Sequence, residues 1–98
     1  MVMTANKTAA RFPLGRLLST PGALAAMEEA GQNPLEFFER HQSGDWGTVP
    51  PEDAQANEQS LVDGSRIISA YKLKTGTKIW IITEADREYT TILLPEEY

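Results

Sequence analysis

Apolar residues recur at two spacings along the chain, and the change of spacing divides it into a helical part and a strand part. Before Ser65 the apolar positions lie three or four residues apart, as on one face of an amphipathic helix. From Ser65 onward, runs rich in Ile, Tyr, Trp and Thr alternate with polar residues, as in strands. The pattern predicts an α+β fold with N-terminal helices packed on one face of a three- or four-stranded antiparallel β-meander.

Three helices are predicted from their start and stop signals. A Thr-Pro pair begins residues 21–30 and an Asn-Pro pair begins residues 34–42, which combines an N-cap residue with a proline at the first helical position. A third, weakly amphipathic helix is predicted between Pro50 and Gly64. We expect it at the surface, with only Leu61 and one or two alanines buried.

Three strands are predicted at 66–73, 78–84 and 89–95. The Lys-Thr-Gly turn after the first strand suits a type I turn with glycine in the left-handed conformation, which places Tyr71 opposite Ile79. A fourth strand could come from residues 12–18 and pair at an edge of the sheet, although the proline and glycine there weaken it.

This register divides the first hairpin between two faces. One face is almost entirely apolar, whereas the other carries charged residues at both ends, so we expect the second face to be the more exposed. The second face holds Arg66, Ile68, Ala70, Lys72, Lys78, Trp80, Ile82 and Glu84.

Composition fits one small domain. With 98 residues, 41% of them hydrophobic and 23% charged, we expect a flexible N-terminal tail over 1–10 and a single α+β domain over 11–98. There is no cysteine and only one histidine, which argues against disulfides and against thiolate or multi-histidine metal sites. No apolar run approaches the roughly 18 residues of a membrane span. We therefore expect a cytoplasmic protein.

Charge is unevenly distributed along the chain. The net charge is −5, but residues 21–63 carry nine acids against one arginine, while residues 1–20 are basic and residues 64–98 are neutral. The overall negative charge argues against a protein that coats nucleic acid non-specifically, but it does not exclude nucleic-acid binding in one local groove. An acidic surface that binds a protein is the simpler interpretation.

One polar cluster lies at the end of the second predicted helix. His41 sits in the last helical turn, where the helix dipole favours the imidazolium, so it could titrate near neutrality and act as a general acid or base. The alternative is structural: the imidazole caps the last carbonyls while Trp46 fills the helix–sheet junction, with Asp45 beside it.

A second cluster lies on the last predicted hairpin. Arg87 near Thr90 and Thr91 could clamp a phosphate bidentately. The structural alternative is that Asp86 forms an Asx-type turn and pairs with the arginine.

Trp80 differs from these residues because it lies on the more exposed face between lysines, where it could anchor a protein partner or stack on a base. The candidate binding residues are Trp80, Asp45, Trp46, Arg66 and Asp86. The sequence contains no glycine-rich phosphate loop, HExxH, GxSxG or EF-hand motif, so we expect no cofactor and no metal.

Four strings resemble a family of small bacterial proteins encoded on plasmids and other mobile elements. They are RHQSGDWG at 40–47, RIISAY at 66–71, WIITEADR at 80–87 and TTILLPEEY at 90–98. Members are often labelled "plasmid-related protein" or "type I restriction endonuclease subunit M", and the family has no settled activity. Methyltransferase activity is not expected, because the chain lacks the length and the glycine loop of a doubly wound sheet.

The order of elements is also loosely similar to the barnase/RelE-like ribonuclease class. That similarity implies metal-independent cleavage of RNA by His41, Arg87, Thr90 and Thr91. We regard a non-enzymatic accessory or protein-interaction module of a mobile element as the leading interpretation, with a protein favoured over nucleic acid as partner. The small ribonuclease is the alternative, and the oligomeric state is left open.

Overall fold

Helices lead and strands follow along the chain, apart from one short strand at the start. The computed structural model describes residues 10–98, so the predicted flexible tail lies outside the described residues except for Ala10. The elements are β1 (Arg16–Ser19), α1 (Pro21–Ala30), α2 (Pro34–Gln42), α3 (Pro51–Asp63), β2 (Ile67–Lys72), β3 (Lys78–Thr83) and β4 (Tyr89–Leu93), followed by a 3-10 turn at Pro95–Glu97. Within residues 10–98, every helix is too short or too polar to cross a membrane.

The first two helices begin where their capping residues predict. The side-chain oxygens of Thr20 and Asn33 accept hydrogen bonds from the backbone N–H of Ala23 and Leu35, and a proline follows each cap. Gly31 ends α1 in the left-handed conformation, at φ 69°. Both predicted helices are confirmed.

The sheet has the strand order β1-β4-β3-β2. The predicted hairpin register is confirmed, since Tyr71 pairs with Ile79 across β2 and β3. β4 is antiparallel to β3, but β1 runs parallel to β4, so the sheet is mixed rather than purely antiparallel. The predicted edge strand forms only at Arg16–Ser19, while Phe12 leaves the sheet and is buried with Trp46 and Ile67.

The main core lies between the sheet and the first two helices. Met27 of α1 and Phe37 of α2 are fully buried against the apolar face of the sheet, whose Tyr71 is 1% exposed. The Tyr71 hydroxyl donates to the backbone carbonyl of Asp45 at the rim of this core. The cluster comprises Ala23, Met27, Phe37, Phe38, Tyr71, Leu73, Ile79, Ile81 and Ile92.

Helix α3 packs in a way the sequence did not predict. Its buried residues are Asn57 and Ser60, whereas Leu61 is only half-buried and Ala56 is exposed. The reason is that α3 packs against the edge strand β2, where the Asn57 amide both donates to the carbonyl of Ile68 (2.7 Å) and accepts from its N–H (3.1 Å). The buried amide thereby provides hydrogen-bond partners for backbone groups that would otherwise be unpaired at this edge of the sheet.

The same edge is closed further along by the loop after α2. Ala70 donates its N–H to the carbonyl of Trp46 and accepts from the N–H of Thr48. This approach requires a glycine between them, because Gly47 has φ 76° and a Cβ there would overlap the carbonyl oxygen of Ala70. The fold thus covers the β2 edge at both Ile68 and Ala70.

Candidate binding groove

A groove of about 690 Å³ opens on the face of the sheet opposite α1 and α2. Its floor is the second face of the hairpin, with Ile68 and Ala70 from β2 and Trp80 from β3. One wall comes from α3 and the loop before it, and the other from the C-terminal segment. The wall residues include Thr48, Val49, Pro50, Asp53, Ala56, Asn57, Pro95 and Tyr98.

Trp80 and Tyr98 form the aromatic part of the groove. Their rings meet edge to face, with centroids 5.7 Å apart. The 3-10 turn holds this arrangement, because the N–H of Tyr98 donates to the carbonyl of Pro95. Trp80 is half-buried and Tyr98 is 65% exposed, so both rings keep surface that a bound molecule could cover.

Cations stand at both ends of the groove. Arg66 precedes β2 and its guanidinium lies 5.7 Å from the centre of the Tyr98 ring, while Lys78 begins β3 at the other end of the hairpin. Lys72 is paired with Lys78 in the strand register and is likewise exposed. Among residues 10–98 the ion pairs are Arg11–Glu58 and Arg40–Asp45, which leaves the groove cations without a carboxylate partner there.

Trp80 and Arg66 were the groove residues that the sequence singled out. The predicted register places both on one face, which the structure confirms, but no pattern in the sequence indicates that α3 forms a wall beside them. The sequence predicts Pro50 only as the start of the third helix, although this proline also lines the groove. Tyr98 is not among the binding residues predicted from the sequence, although its ring lines the groove.

His41 occupies a different place, inside the core. It is fully buried, and both ring nitrogens are hydrogen-bonded: Nδ1 lies 2.6 Å from Oγ of Ser69, and Nε2 lies 2.9 Å from Oγ1 of Thr83. Thr83 Oγ1 is 2.7 Å from Oγ1 of Thr90, which donates to the backbone carbonyl of Leu14 at 2.7 Å. The result is a buried chain of hydrogen bonds that links α2 to three strands and the N-terminal segment.

The order of donors and acceptors along these hydrogen bonds determines the tautomer of His41. Because Thr90 uses its only hydrogen on the carbonyl of Leu14, Thr83 must donate to Thr90. Thr83 therefore accepts from His41, so Nε2 carries the proton and Nδ1 accepts from the hydroxyl of Ser69. A neutral imidazole thus allows all four of these hydrogen bonds to form.

Burial also sets the pKa of His41. Desolvation first, and the positive charge of Arg87 second, lower the pKa of the imidazole to about 3. The expectation of titration near neutrality is therefore wrong, because the loss of solvent outweighs the helix dipole. The expectation that His41 caps helix carbonyls is also wrong, since both of its nitrogens bond to hydroxyls on strands. Trp46 does pack at the helix–sheet junction, with its ring 6.0 Å from the imidazole.

Arg87 supports the backbone around it. Its Nη1 donates to the carbonyls of Ser65 and Glu84, at 2.7 and 3.1 Å. Its Nη2 donates to the carbonyl of Ser60 in the last turn of α3, at 3.1 Å. The residue has a left-handed φ of 60°, and Asp86 beside it forms the expected Asx turn by accepting from a backbone N–H rather than pairing with the arginine. The guanidinium thus ties α3 to the β3–β4 turn.

The remaining candidates are dispersed. Asp45 pairs with Arg40 (2.7 Å) and shapes its own loop by accepting from a backbone N–H, and the indole of Trp46 is buried and donates to Glu58. Thr91 pairs with Leu18 and Ile82, so its side chain lies on the second face of the sheet. The buried Thr90 points to the other face. The four residues of the ribonuclease hypothesis consequently do not surround one open cleft, whereas Trp80 and Arg66 share the groove.

Comparison with known proteins adds no further information about this site. A scan against protein-family models, a search of curated proteins and a search of solved structures each gave no match to the chain.

Proposed function

We propose that this protein is a non-enzymatic protein-interaction module whose binding surface is the groove around Trp80. The observation that carries the proposal is the groove itself, where an aromatic pair and open strand surface lie between two cations. Tryptophan and tyrosine are enriched among the residues that contribute most of the binding energy of protein interfaces.

The dimensions of the groove favour a segment of polypeptide as its occupant. A volume of about 690 Å³ suits a few side chains held in a row, and the mixed lining provides apolar contact with polar groups at the rim. Nucleic acid is less favoured, because the chain carries a net charge of −5 and Asp53 lies on the wall of the groove itself.

The groups that acid–base chemistry would need are engaged elsewhere, which supports a binding role. His41 is enclosed with both nitrogens bonded, and the guanidinium of Arg87 donates to backbone carbonyls. The setting in a plasmid or other mobile element is part of the proposal and rests on the sequence resemblance alone.

Affinity capture from a bacterial host tests the proposal with a matched pair of variants. Ala56→Arg introduces a long side chain at an exposed helix position that lines the groove, and Gln55→Arg adds the same charge at the next, exposed position outside it. Proteins bound by the wild type should be retained by Gln55→Arg and lost on Ala56→Arg and on Trp80→Ala. Circular dichroism should show that each variant is folded.

Two results would contradict the proposal. One is a set of bound proteins that is the same for Ala56→Arg and Gln55→Arg. The other is cleavage of RNA by the purified wild type that is lost on His41→Ala or Arg87→Ala, which would support the ribonuclease alternative instead.

A further inference from the structure

Within residues 10–98, the edge of the sheet at β1 is open, in contrast to the covered edge at β2. Leu17 and Leu18 point to opposite faces of this strand and are 45% and 40% exposed, and Tyr89 on the neighbouring strand is 40% exposed. Such an edge, with apolar side chains on both faces, is a template for pairing with another strand.

The backbone of β1 has hydrogen-bonding groups to offer. The N–H groups of Arg16 and Thr20 donate toward β4, to Glu88 and Ile92, so the even-numbered residues face that strand. The N–H and C=O groups of Leu17 and Ser19 therefore point away from the sheet, and no hydrogen bond within residues 10–98 uses them.

Opposite charges lie at the two ends of this strand. Arg16 begins β1 and is exposed. At the other end, the carboxylate of Glu97 accepts from the hydroxyl of Thr20 (2.5 Å) and from the N–H of Leu94 (2.8 Å), which lowers the pKa of Glu97 and keeps it ionised. A positive charge thus precedes the exposed leucines and a negative charge follows them.

We propose that two copies of this chain pair antiparallel through β1, about a two-fold axis at Leu18. In this register Leu17 of each copy faces Ser19 of the other, and their outward groups form four backbone hydrogen bonds. The two Leu18 side chains lie directly opposite each other at the axis. Arg16 of one copy then faces Thr20 of the other, beside the carboxylate of Glu97, so two ion pairs form symmetrically.

The fold also explains why such pairing would stop at two copies. The β2 edge is covered by Asn57 and by the loop around Gly47, so the part of each chain from residue 10 onward offers one open edge. A two-fold axis uses both open edges at once and closes the assembly. The strand is only four residues long, so we expect a weak dimer that dissociates on dilution.

Sedimentation equilibrium across a wide concentration range tests the proposal on the full chain. The wild type should change from monomer to dimer with rising concentration, with a dissociation constant of about 10–100 μM, as expected for a small interface. Leu18→Lys should abolish the dimer, whereas Leu35→Lys, at an exposed position on α2, should not. A wild type that stays monomeric up to about 1 mM would overturn the proposal.

Charge reversal tests the register. Arg16→Glu and Glu97→Arg should each raise the dissociation constant by about tenfold, because two ion pairs become repulsive contacts, and the double variant should recover most of the loss. Glu96→Arg, which changes the net charge equally at the neighbouring exposed position, is the matched control. Single variants with unchanged affinity, or a double variant no better than the single ones, would refute this pairing.

Discussion

Acidification should destabilise this protein through its one histidine. In the folded chain the pKa of His41 is about 3, and in the unfolded chain the imidazole returns to its ordinary value near 6.5. As the pH falls below 6.5, the unfolded chain binds a proton that the folded chain does not, so the equilibrium shifts toward unfolding. The stability that the neutral imidazole contributes is complete above pH 7 and is lost progressively down to about pH 3.

The size of this effect follows from the two pKa values. Between pH 7.5 and pH 5 the linkage relation gives a loss of about 2 kcal/mol, and the loss reaches about 4 kcal/mol by pH 3. Carboxylates contribute little in the upper part of this range, because they titrate below about pH 5. The histidine therefore dominates the pH dependence between 7.5 and 5.

Two measurements check this prediction. Urea unfolding at pH 7.5 and pH 5 should show the loss in the wild type, and the loss should be smaller by about 2 kcal/mol in His41→Gln. Nitrogen-15 NMR should show one imidazole, protonated on Nε2, with shifts that do not change from pH 8 to pH 5. Val62→His provides a control, because position 62 is 81% exposed and its imidazole should titrate near 6.5.

A wild-type imidazole that titrates between pH 6 and 7 would refute the reasoning. It would mean that water reaches His41 in the folded state, and it would restore the residue as a candidate acid or base.

Two further predictions concern the covered edge at β2. Gly47→Ala should lower the free energy of unfolding by more than about 2 kcal/mol in urea denaturation, because a Cβ there meets a backbone carbonyl. Gly64→Ala, also at positive φ but in open space, should lower it by only about 1 kcal/mol. Asn57→Leu should lower the free energy of unfolding by about 2–4 kcal/mol, since it leaves the N–H and C=O of Ile68 without partners. Gln55→Leu, on the exposed side of α3, should change it by no more than about 0.5 kcal/mol. Equal losses within either pair would contradict the role assigned to the buried residue.

The elements that local chemistry specifies were predictable from the sequence. Capping residues and prolines fixed where the helices begin, because those signals act within a few residues of the helix start. The glycine-containing turn after β2 set the hairpin register, and with it the face that carries Trp80. The floor of the groove was therefore predictable, together with the cation at Arg66.

The features that depend on distant parts of the chain were not predictable. The neutral state of His41 requires Ser69 and Thr83, which lie on strands far along the sequence, and a local argument from the helix dipole gave the wrong direction for its pKa. The burial of Asn57 follows from the open edge of β2, which no periodicity in α3 reveals. The wall of the groove that α3 provides likewise forms only when α3 packs beside the sheet.

The most direct test of the binding groove is photo-crosslinking in living cells. A photoreactive amino acid at position 78, at the exposed end of the groove, should form an adduct with a protein, and the adduct should disappear when Trp80→Ala is added. The same probe at position 62, which is exposed and outside the groove, should form no such adduct. Adducts that arise equally at both positions, or that persist without Trp80, would contradict the account.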